Sequence, residues 1–260
     1  MTTSWMISVD SAQLLKSYVG HGLTQTELSC FLGTGQPYEL TRSVDNRVKT
    51  AFPYAALSLV FSDYNQLAAT LDRPIQAGVK AVMYDPENWS FTPVAQQQNP
   101  ALYEELAATA AHAHRLEVIA APAANLTATG GAGDSAAKYQ QYISSDYAGA
   151  AARYADVLDI QAQGLEANPA EYAHFLAQAI AQAKAANPDI TIYAGLSTSG
   201  SGGSAITAAD LYQDVMATQN EVSGYWLNVP GPSPYSPNVT ASHPEVAVGL
   251  LNDLWAAART

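Results

Sequence analysis

Cysteine and basic side chains are scarce in this chain, and their scarcity narrows the classes of protein it can belong to. The single cysteine, Cys30, excludes an internal disulfide, and we expect it to be buried as a small apolar side chain. The 11 lysines and arginines are outnumbered by 23 aspartates and glutamates, so the formal net charge is −12. Because such a surface repels nucleic-acid phosphates and anionic lipids, we expect no nucleic-acid or membrane partner. A neutral or cationic small molecule or an oligosaccharide fits this charge as a substrate.

Long apolar runs and several catalytic motifs are also missing. No stretch of about 18 apolar residues predicts a transmembrane helix. Residues 1–5 show no basic region followed by an apolar run, which leaves a cytoplasmic protein or a secreted one whose signal peptide has been removed. Without H-E-x-x-H, C-x-x-C or other ligand spacing, we expect neither a metal nor a cofactor. The absence of G-x-S-x-G argues against a serine hydrolase triad. The oligomeric state stays open.

Regular alternation of strands and helices dominates the second half of the chain. The length of 260 residues is close to the roughly 250 that are typical of a (β/α)8 barrel. Apolar runs followed by helical segments predict five strands, at 79–84, 116–120, 157–160, 190–194 and 224–229. Three further candidates precede them, at 6–9, 28–32 and 56–61. Together they predict a single TIM-barrel domain over 1–260, and an open doubly wound sheet is the alternative, although no G-x-G-x-x-G follows the first strand.

Polar side chains gather where these predicted strands end. Residues two apart on a strand share a face, and barrel interiors are usually filled by valine, isoleucine and leucine. Several strands here end instead in polar or aromatic residues that would share the inward face of the barrel. Tyr193 is one of them if its side chain points inward. A lone carboxylate could cap a helix and a lone tryptophan could be core, but their combination favours a site. The set comprises Asp10, Asp85, Glu87, Gln161, Gln163, Tyr193, Trp226 and Asn228.

From the fourth strand to the eighth, the strand ends carry in order Asp85-Pro86-Glu87, Ala120-Ala121-Pro122, Gln161 with Gln163, Gly195-Leu196, and Trp226. In this order they resemble the strand ends of the chitinase-like glycoside hydrolase barrels of family eighteen. The chain departs from the family at Lys80 and Met83, where the family carries two further aspartates. It is also similar to a group of actinobacterial barrel proteins that carry Tyr-Asp-Pro-Glu-x-Trp, Gln-Ala-Gln and Gly-Tyr-Trp-Leu-Asn.

The resemblance implies a glycosidase-like enzyme acting on a carbohydrate or a glycosylated small molecule. It implies Glu87 as the general acid, with a pKa raised by burial and by the neighbouring Asp85, which would stabilise developing positive charge or orient the substrate. Substrate contacts are then expected from two further sets of side chains. The hydrogen-bonding set is Gln161, Gln163 and Asn228, and the stacking set is Trp226, Trp89 and Tyr84.

Two other classes of function could use the same set of carboxyl, hydrogen-bonding and stacking residues. A biosynthetic lyase, cyclase or isomerase could pass a neutral natural product through a cation or move a proton on it. A non-catalytic carbohydrate-binding protein could keep the pocket without turnover. Detection of turnover separates the binding protein from both kinds of enzyme.

Overall fold

The structure is a computed structural model that describes residues 3–33, 36–45, 47–127, 135–200 and 205–259. Its strands pair in sequence order and the last returns to the first, which confirms a closed parallel (β/α)8 TIM barrel. At the closure, Met6 of the first strand lies opposite Trp226 of the last. The strands are β1 (Ser4–Ser8), β2 (Tyr38–Thr41), β3 (Ala56–Phe61), β4 (Val79–Tyr84), β5 (Glu117–Ala120), β6 (Val157–Ile160), β7 (Thr191–Ser197) and β8 (Gly224–Asn228).

Helices surround the barrel and pack their apolar faces on the outward faces of the strands. Three of them begin with Pro100, Pro169 and Pro244, where a missing N–H costs no helical hydrogen bond. The α-helices of the described residues are α1 (Val9–Ser17), α2 (Gln25–Leu28), α3 (Tyr64–Leu71), α4 (Val94–Gln98), α5 (Pro100–Ala113), α6 (Ser135–Ser144), α7 (Tyr147–Ala152), α8 (Pro169–Ala186), α9 (Ala208–Thr218) and α10 (Pro244–Ala257). Among them, none combines the length and the apolar character that crossing a membrane requires.

The second strand is not where the sequence predicts it. Residues 28–32 are helical, because Thr24 and Glu27 form a capping box that begins α2 and a π-helix, Ser29–Gly33, continues it. Leu28 and Leu32 are both buried, as residues four apart on one helical face can be. The strand lies instead at Tyr38–Thr41. The expectation of a buried Cys30 was also wrong, since this residue is exposed.

The interior of the barrel is filled by side chains that point inward from the strands. These are Met6, Leu40, Val60, Ala81, Met83, Ile119, Ala121, Val157 and Tyr193, with Trp226 packed against them. Two tyrosines are tied down at the end of the barrel where the strands begin. Tyr38 Oη donates to Glu117 Oε2 at 2.9 Å, and Tyr193 Oη donates to Ser4 Oγ at 2.7 Å.

Closure of the barrel depends on the lack of a side chain at Gly224. A Cβ at this position would overlap the carbonyl oxygen of Ser4 and lie 2.6 Å from Tyr193 Cε1. Because overpacking forces backbone shifts, we expect Gly224→Ala to lower the free energy of unfolding by about 1–3 kcal/mol in a denaturant titration. Gly231→Ala is the matched control, since its Cβ would meet its nearest atom at 3.8 Å. Equal stability of the two variants would contradict the proposed tightness of the β1–β8 seam.

Candidate active site

A cavity of about 930 Å³ opens at the ends of the strands opposite the tied tyrosines, and we call it the main cavity. Its wall is built by residues near the ends of β1, β2, β3 and β8 and by the segments that follow β1, β2, β4 and β8. In TIM barrels the carboxyl ends of the strands carry the functional side chains. Asp85 and Glu87 lie on this wall, as do Trp226 and Asn228. The geometry around the two carboxyl groups therefore decides what chemistry the cavity can perform.

Asp85 follows β4 directly and is almost completely buried, with 1% of its surface exposed. Its Oδ2 accepts from Arg42 Nη2 at 2.6 Å and its Oδ1 accepts from Gln161 Nε2 at 2.8 Å. Gln161 Nε2 also lies 2.6 Å from the carbonyl oxygen of Ala121, which fixes the orientation of the carboxamide. Each oxygen of Asp85 thus has a donor, and a buried carboxylate paired in this way is held in one orientation.

Glu87 lies two residues further along and is only partly buried. Its Oε2 accepts from Asn125 Nδ2 at 3.1 Å, and its backbone N–H donates to Thr92 Oγ1 at 3.1 Å. Burial raises the pKa of Glu87 to about 8, with a further rise from the charge of Asp85. The Asn125 hydrogen bond and the charges of Arg42 and Lys138 oppose that rise. The raised pKa favours the protonated form of Glu87, which can donate a proton.

Arg42 is the principal site residue that the sequence analysis missed. It follows β2 and donates to Ser62 Oγ at 2.9 Å in addition to Asp85. Its guanidinium carbon lies 5.5 Å from the ring centroid of Trp89 and 4.6 Å from that of Tyr235. Because the sequence analysis placed the second strand at 28–32, it did not recognise Arg42 as a residue that follows a strand. The available signal was a short run, Tyr38–Thr41, that is followed directly by a basic residue.

An aromatic rim borders the main cavity and holds Arg42 in place. The rim consists of Trp89, Phe91 and Tyr235, whose ring centroids lie 4.5–6.0 Å apart. Trp89 is fixed by a 2.9 Å hydrogen bond from its Nε1 to Thr92 Oγ1, the same oxygen that holds the Glu87 backbone. Tyr235 is exposed to 42%. A partly exposed aromatic surface next to polar groups suits the stacking of a sugar ring.

The structure brings Trp89 and Asp10 to the main cavity together with Trp226 and Asn228. Asp10 reaches it from the first turn of α1 and not from a strand end, because β1 stops at Ser8 and this serine caps the helix. Its side chain is exposed at the edge of the cavity.

Four of the predicted substrate-binding residues need correction. Gln161 is not part of the main cavity wall, and its carboxamide nitrogen donates to Asp85 and to the Ala121 carbonyl. Tyr84 is fully buried on the outer face of β4, where its hydroxyl donates to Gln96 Oε1 at 2.8 Å. Tyr193 points inward, but its hydroxyl bonds Ser4 at the opposite end, because β7 continues to Ser197 and Tyr193 is only its third residue. Gln163 is not part of the main cavity wall. Its carboxamide instead occupies the space above Gly195, where a Cβ would overlap it.

A third carboxyl group lies inside the barrel on the same face of β6 as Gln161. Asp159 is completely buried, and neither of its oxygens has a hydrogen-bond partner among the described residues. Burial, with the charge of Asp85 adding to it, raises the pKa of Asp159 well above its usual range. Within the described part of the chain, no group of three or more histidine, cysteine, aspartate or glutamate side chains is arranged to hold a metal ion.

Comparison with known proteins returns barrels of several activities at low sequence identity. No protein-family model matches the chain, and no curated protein matches it. Bee venom hyaluronidase is 12% identical over 98% of this chain and 97% of its own, with a TM-score of 0.48. A GH128 (subgroup III) curdlan-specific exo-beta-1,3-glucanase from Blastomyces gilchristii is 14% identical over 78% of this chain and 85% of its own, with a TM-score of 0.45.

A carboxylase is also among the similar structures. Pyruvate carboxylase from Rhizobium etli is 12% identical over the whole of this chain, with a TM-score of 0.49, and the chain spans 28% of its length. A hyaluronidase, a glucanase and a carboxylase do not share one activity. These similarities therefore concern the fold, and any assignment of function has to come from the site itself.

Proposed function

We propose that this protein is a glycosidase-like hydrolase that uses Glu87 as its general acid on a carbohydrate or a glycosylated small molecule. One observation carries the proposal: a glutamic acid whose pKa is raised to about 8 lies on the wall of the main cavity, beside a buried aspartate and an aromatic rim. A protonated carboxylic acid is what cleavage of a glycosidic bond requires. We propose that the reaction needs no metal ion or organic cofactor.

In the proposed reaction, Glu87 transfers its proton to the glycosidic oxygen as the bond between that oxygen and the anomeric carbon breaks. The leaving oxygen takes the bonding electron pair together with the proton. The negative charge of Asp85, oriented by Arg42 and Gln161, stabilises the positive charge that develops at the anomeric carbon. Water then adds to this carbon and returns a proton to Glu87, which restores the starting state.

Substrate binding in this proposal divides between stacking and hydrogen bonding. Trp226 and Trp89 offer apolar ring faces to the sugar, and Asn228 and Asp10 offer polar groups to its hydroxyls. The actinobacterial and family-eighteen resemblances are consistent with such a site. Because Lys80 and Met83 replace two family aspartates, we expect the substrate to differ from chitin.

A panel of chromogenic glycosides and unlabelled oligosaccharides tests the proposal directly. We expect hydrolysis of at least one glycoside, at a rate that a chelator leaves unchanged. Binding without turnover would favour the carbohydrate-binding alternative. Loss of activity with chelator, followed by rescue with one divalent ion, would overturn the metal-free mechanism and make Asp85 and Glu87 candidate metal ligands.

The raised pKa of Glu87, which is due first to burial and then to the charge of Asp85, sets the upper pH limit of the proposed reaction. Since the protonated form of Glu87 is the active one, activity should be retained at low pH and should fall as pH rises through about 8. Asp85→Asn removes the charge that raises this pKa and leaves Arg42, whose charge lowers it, without its partner. We therefore expect the alkaline limb of the kcat/KM profile to move to lower pH in this variant.

Asp253→Asn serves as the matched control, because Asp253 is exposed on α10. Its profile should superimpose on that of the parent. An alkaline limb that stays in place in Asp85→Asn would mean that a group other than Glu87 is titrating.

A further inference from the structure

We infer that the substrate of the proposed site is a chain of at least two neutral polyhydroxy units, and that one unit lies in a second cavity beside the main one. This inference rests on the proposed function and specifies its substrate. The second cavity has a volume of about 300 Å³, and we call it the side cavity. It shares Arg42, Val60 and Tyr235 with the main cavity, so the two cavities adjoin at these side chains.

The side cavity has one aromatic wall and one polar wall. Phe91 and Tyr235 form the aromatic wall, with ring centroids 4.5 Å apart and planes inclined by 36°. The facing wall comes from α3 and its ends, where Asp63, Gln66 and Arg73 line the cavity. A sugar ring has an apolar face and a rim of hydroxyls, so a cavity with these two kinds of wall matches it.

The polar wall keeps hydrogen-bonding capacity available for a ligand. Asp63 Oδ1 accepts from Asn65 N at 2.9 Å and Gln96 Nε2 at 2.6 Å, while its Oδ2 has no protein donor among the described residues. The side chains of Gln66 and Arg73 likewise have no hydrogen-bond partner in the described part of the chain. The wall thus offers a carboxylate acceptor, a carboxamide and guanidinium donors. Of the charged side chains that line the side cavity, Arg42 is paired with Asp85, and Asp63 and Arg73 balance each other, which favours a neutral unit over a uronate or a phosphate.

Arg42 acts as a fixed divider between the two cavities. It is held by Asp85 and Ser62 through hydrogen bonds and by Trp89 and Tyr235 through their rings. Four partners in the segments that follow β3, β4 and β8 leave the guanidinium little freedom to close either space. Both cavities therefore stay open, and a linear substrate with its scissile bond at Glu87 would cross over Arg42 and place its next unit against the aromatic wall of the side cavity.

The test compares short with long substrates in the parent and in the double variant Gln66→Ala/Arg73→Gln. Both residues lie at the surface on or next to α3, so the variant should fold. The probes are mono-, di- and trisaccharides of glucose and of N-acetylglucosamine, both β-1,3- and β-1,4-linked. Affinity is measured by calorimetry on a Glu87→Gln background, which prevents turnover, and kcat/KM is measured with active Glu87.

In the parent we expect affinity and kcat/KM to rise when the second unit is added. In the double variant the ratio of long to short substrate should fall about threefold to tenfold for each hydrogen bond lost. Arg115→Gln, a change of the same kind at an exposed arginine far along the chain, should leave the ratio unchanged. A ratio that does not depend on Gln66 and Arg73, or no gain with length, overturns the side-cavity assignment.

Failure of the inference and failure of the proposed function give different results. Length-dependent binding that needs Gln66 and Arg73, without hydrolysis of any probe, would retain the side cavity and remove the catalytic proposal. Hydrolysis with no dependence on substrate length would retain the catalytic proposal and remove the side cavity. Absence of binding by every saccharide would overturn the inference that the ligand is a neutral polyhydroxy chain.

Discussion

Replacing Glu87 by glutamine is expected to lower kcat/KM on the best substrate of the glycoside panel by about 10²- to 10⁴-fold, the usual contribution of a general acid. Glutamine keeps the size of the side chain and an oxygen that can accept from Asn125 Nδ2, but it has no proton to transfer. The melting temperature should stay within a few degrees of the parent. Binding of the unhydrolysed substrate should persist, because the stacking residues are untouched.

Glu105→Gln provides the control for this loss, since Glu105 is exposed on α5 and lies outside the main cavity wall. It should leave kcat/KM at the parent value. A Glu87→Gln protein that hydrolyses the same substrate at the parent rate would remove Glu87 from the chemistry and leave it as a binding group.

The protein is expected to unfold at a clearly higher temperature at pH 5 than at pH 8. Burial raises the pKa of several carboxyl groups above their ordinary values, so the folded chain holds protons that the unfolded chain releases. The groups are Glu39, Glu87, Glu104, Asp159, Glu166 and Asp214. Their stabilising contribution is fully present below about pH 4, the ordinary range of carboxyl groups, and the part from Glu87, Glu166 and Asp214 is lost as pH rises through about 7 to 8. The summed effect should be on the order of several kcal/mol.

Asp214→Asn isolates one of these groups. Burial raises the pKa of Asp214 to about 8, with smaller rises from Glu166 and Asp210. Both of its oxygens lack a hydrogen-bond partner among the described residues. Asparagine mimics the neutral form, so the variant should melt higher than the parent at pH 8 and close to it at pH 5. Asp189→Asn, at an exposed position, should change neither value. Equal melting temperatures of the parent at the two pH values would contradict this account.

The barrel itself could be predicted because its signals are local. A few adjacent residues indicate each helix start, at Pro100, Pro169 and Pro244, and the apolar runs of β4 and β6 are equally local. The second strand was misplaced because β2 has only four residues, Tyr38–Thr41, and no long apolar run. The stronger apolar signal at 28–32 belongs to helix, where Leu28 and Leu32 lie on one face.

Which side chains reach the main cavity was predictable where it depends on the alternation of side chains along a strand. Asp85, Glu87, Trp226 and Asn228 reach the main cavity because alternate residues of a strand face the same side. The alternation of side chains along a strand does not say how far along the barrel a side chain lies. Tyr193 has the inward parity, yet it lies at the wrong end because β7 runs on to Ser197.

By itself, the sequence determined the alternation of strands and helices and the placement of two carboxyl groups where β4 ends, since both follow from neighbouring residues. Only the tertiary structure decided what surrounds those groups. Arg42, Asn125 and Tyr235 come from three loops far apart in the chain, and closure of the barrel brings them to Asp85, to Glu87 and to the aromatic rim. The pKa of Glu87 depends on that assembly, because burial and neighbouring charge exist only once the loops have met.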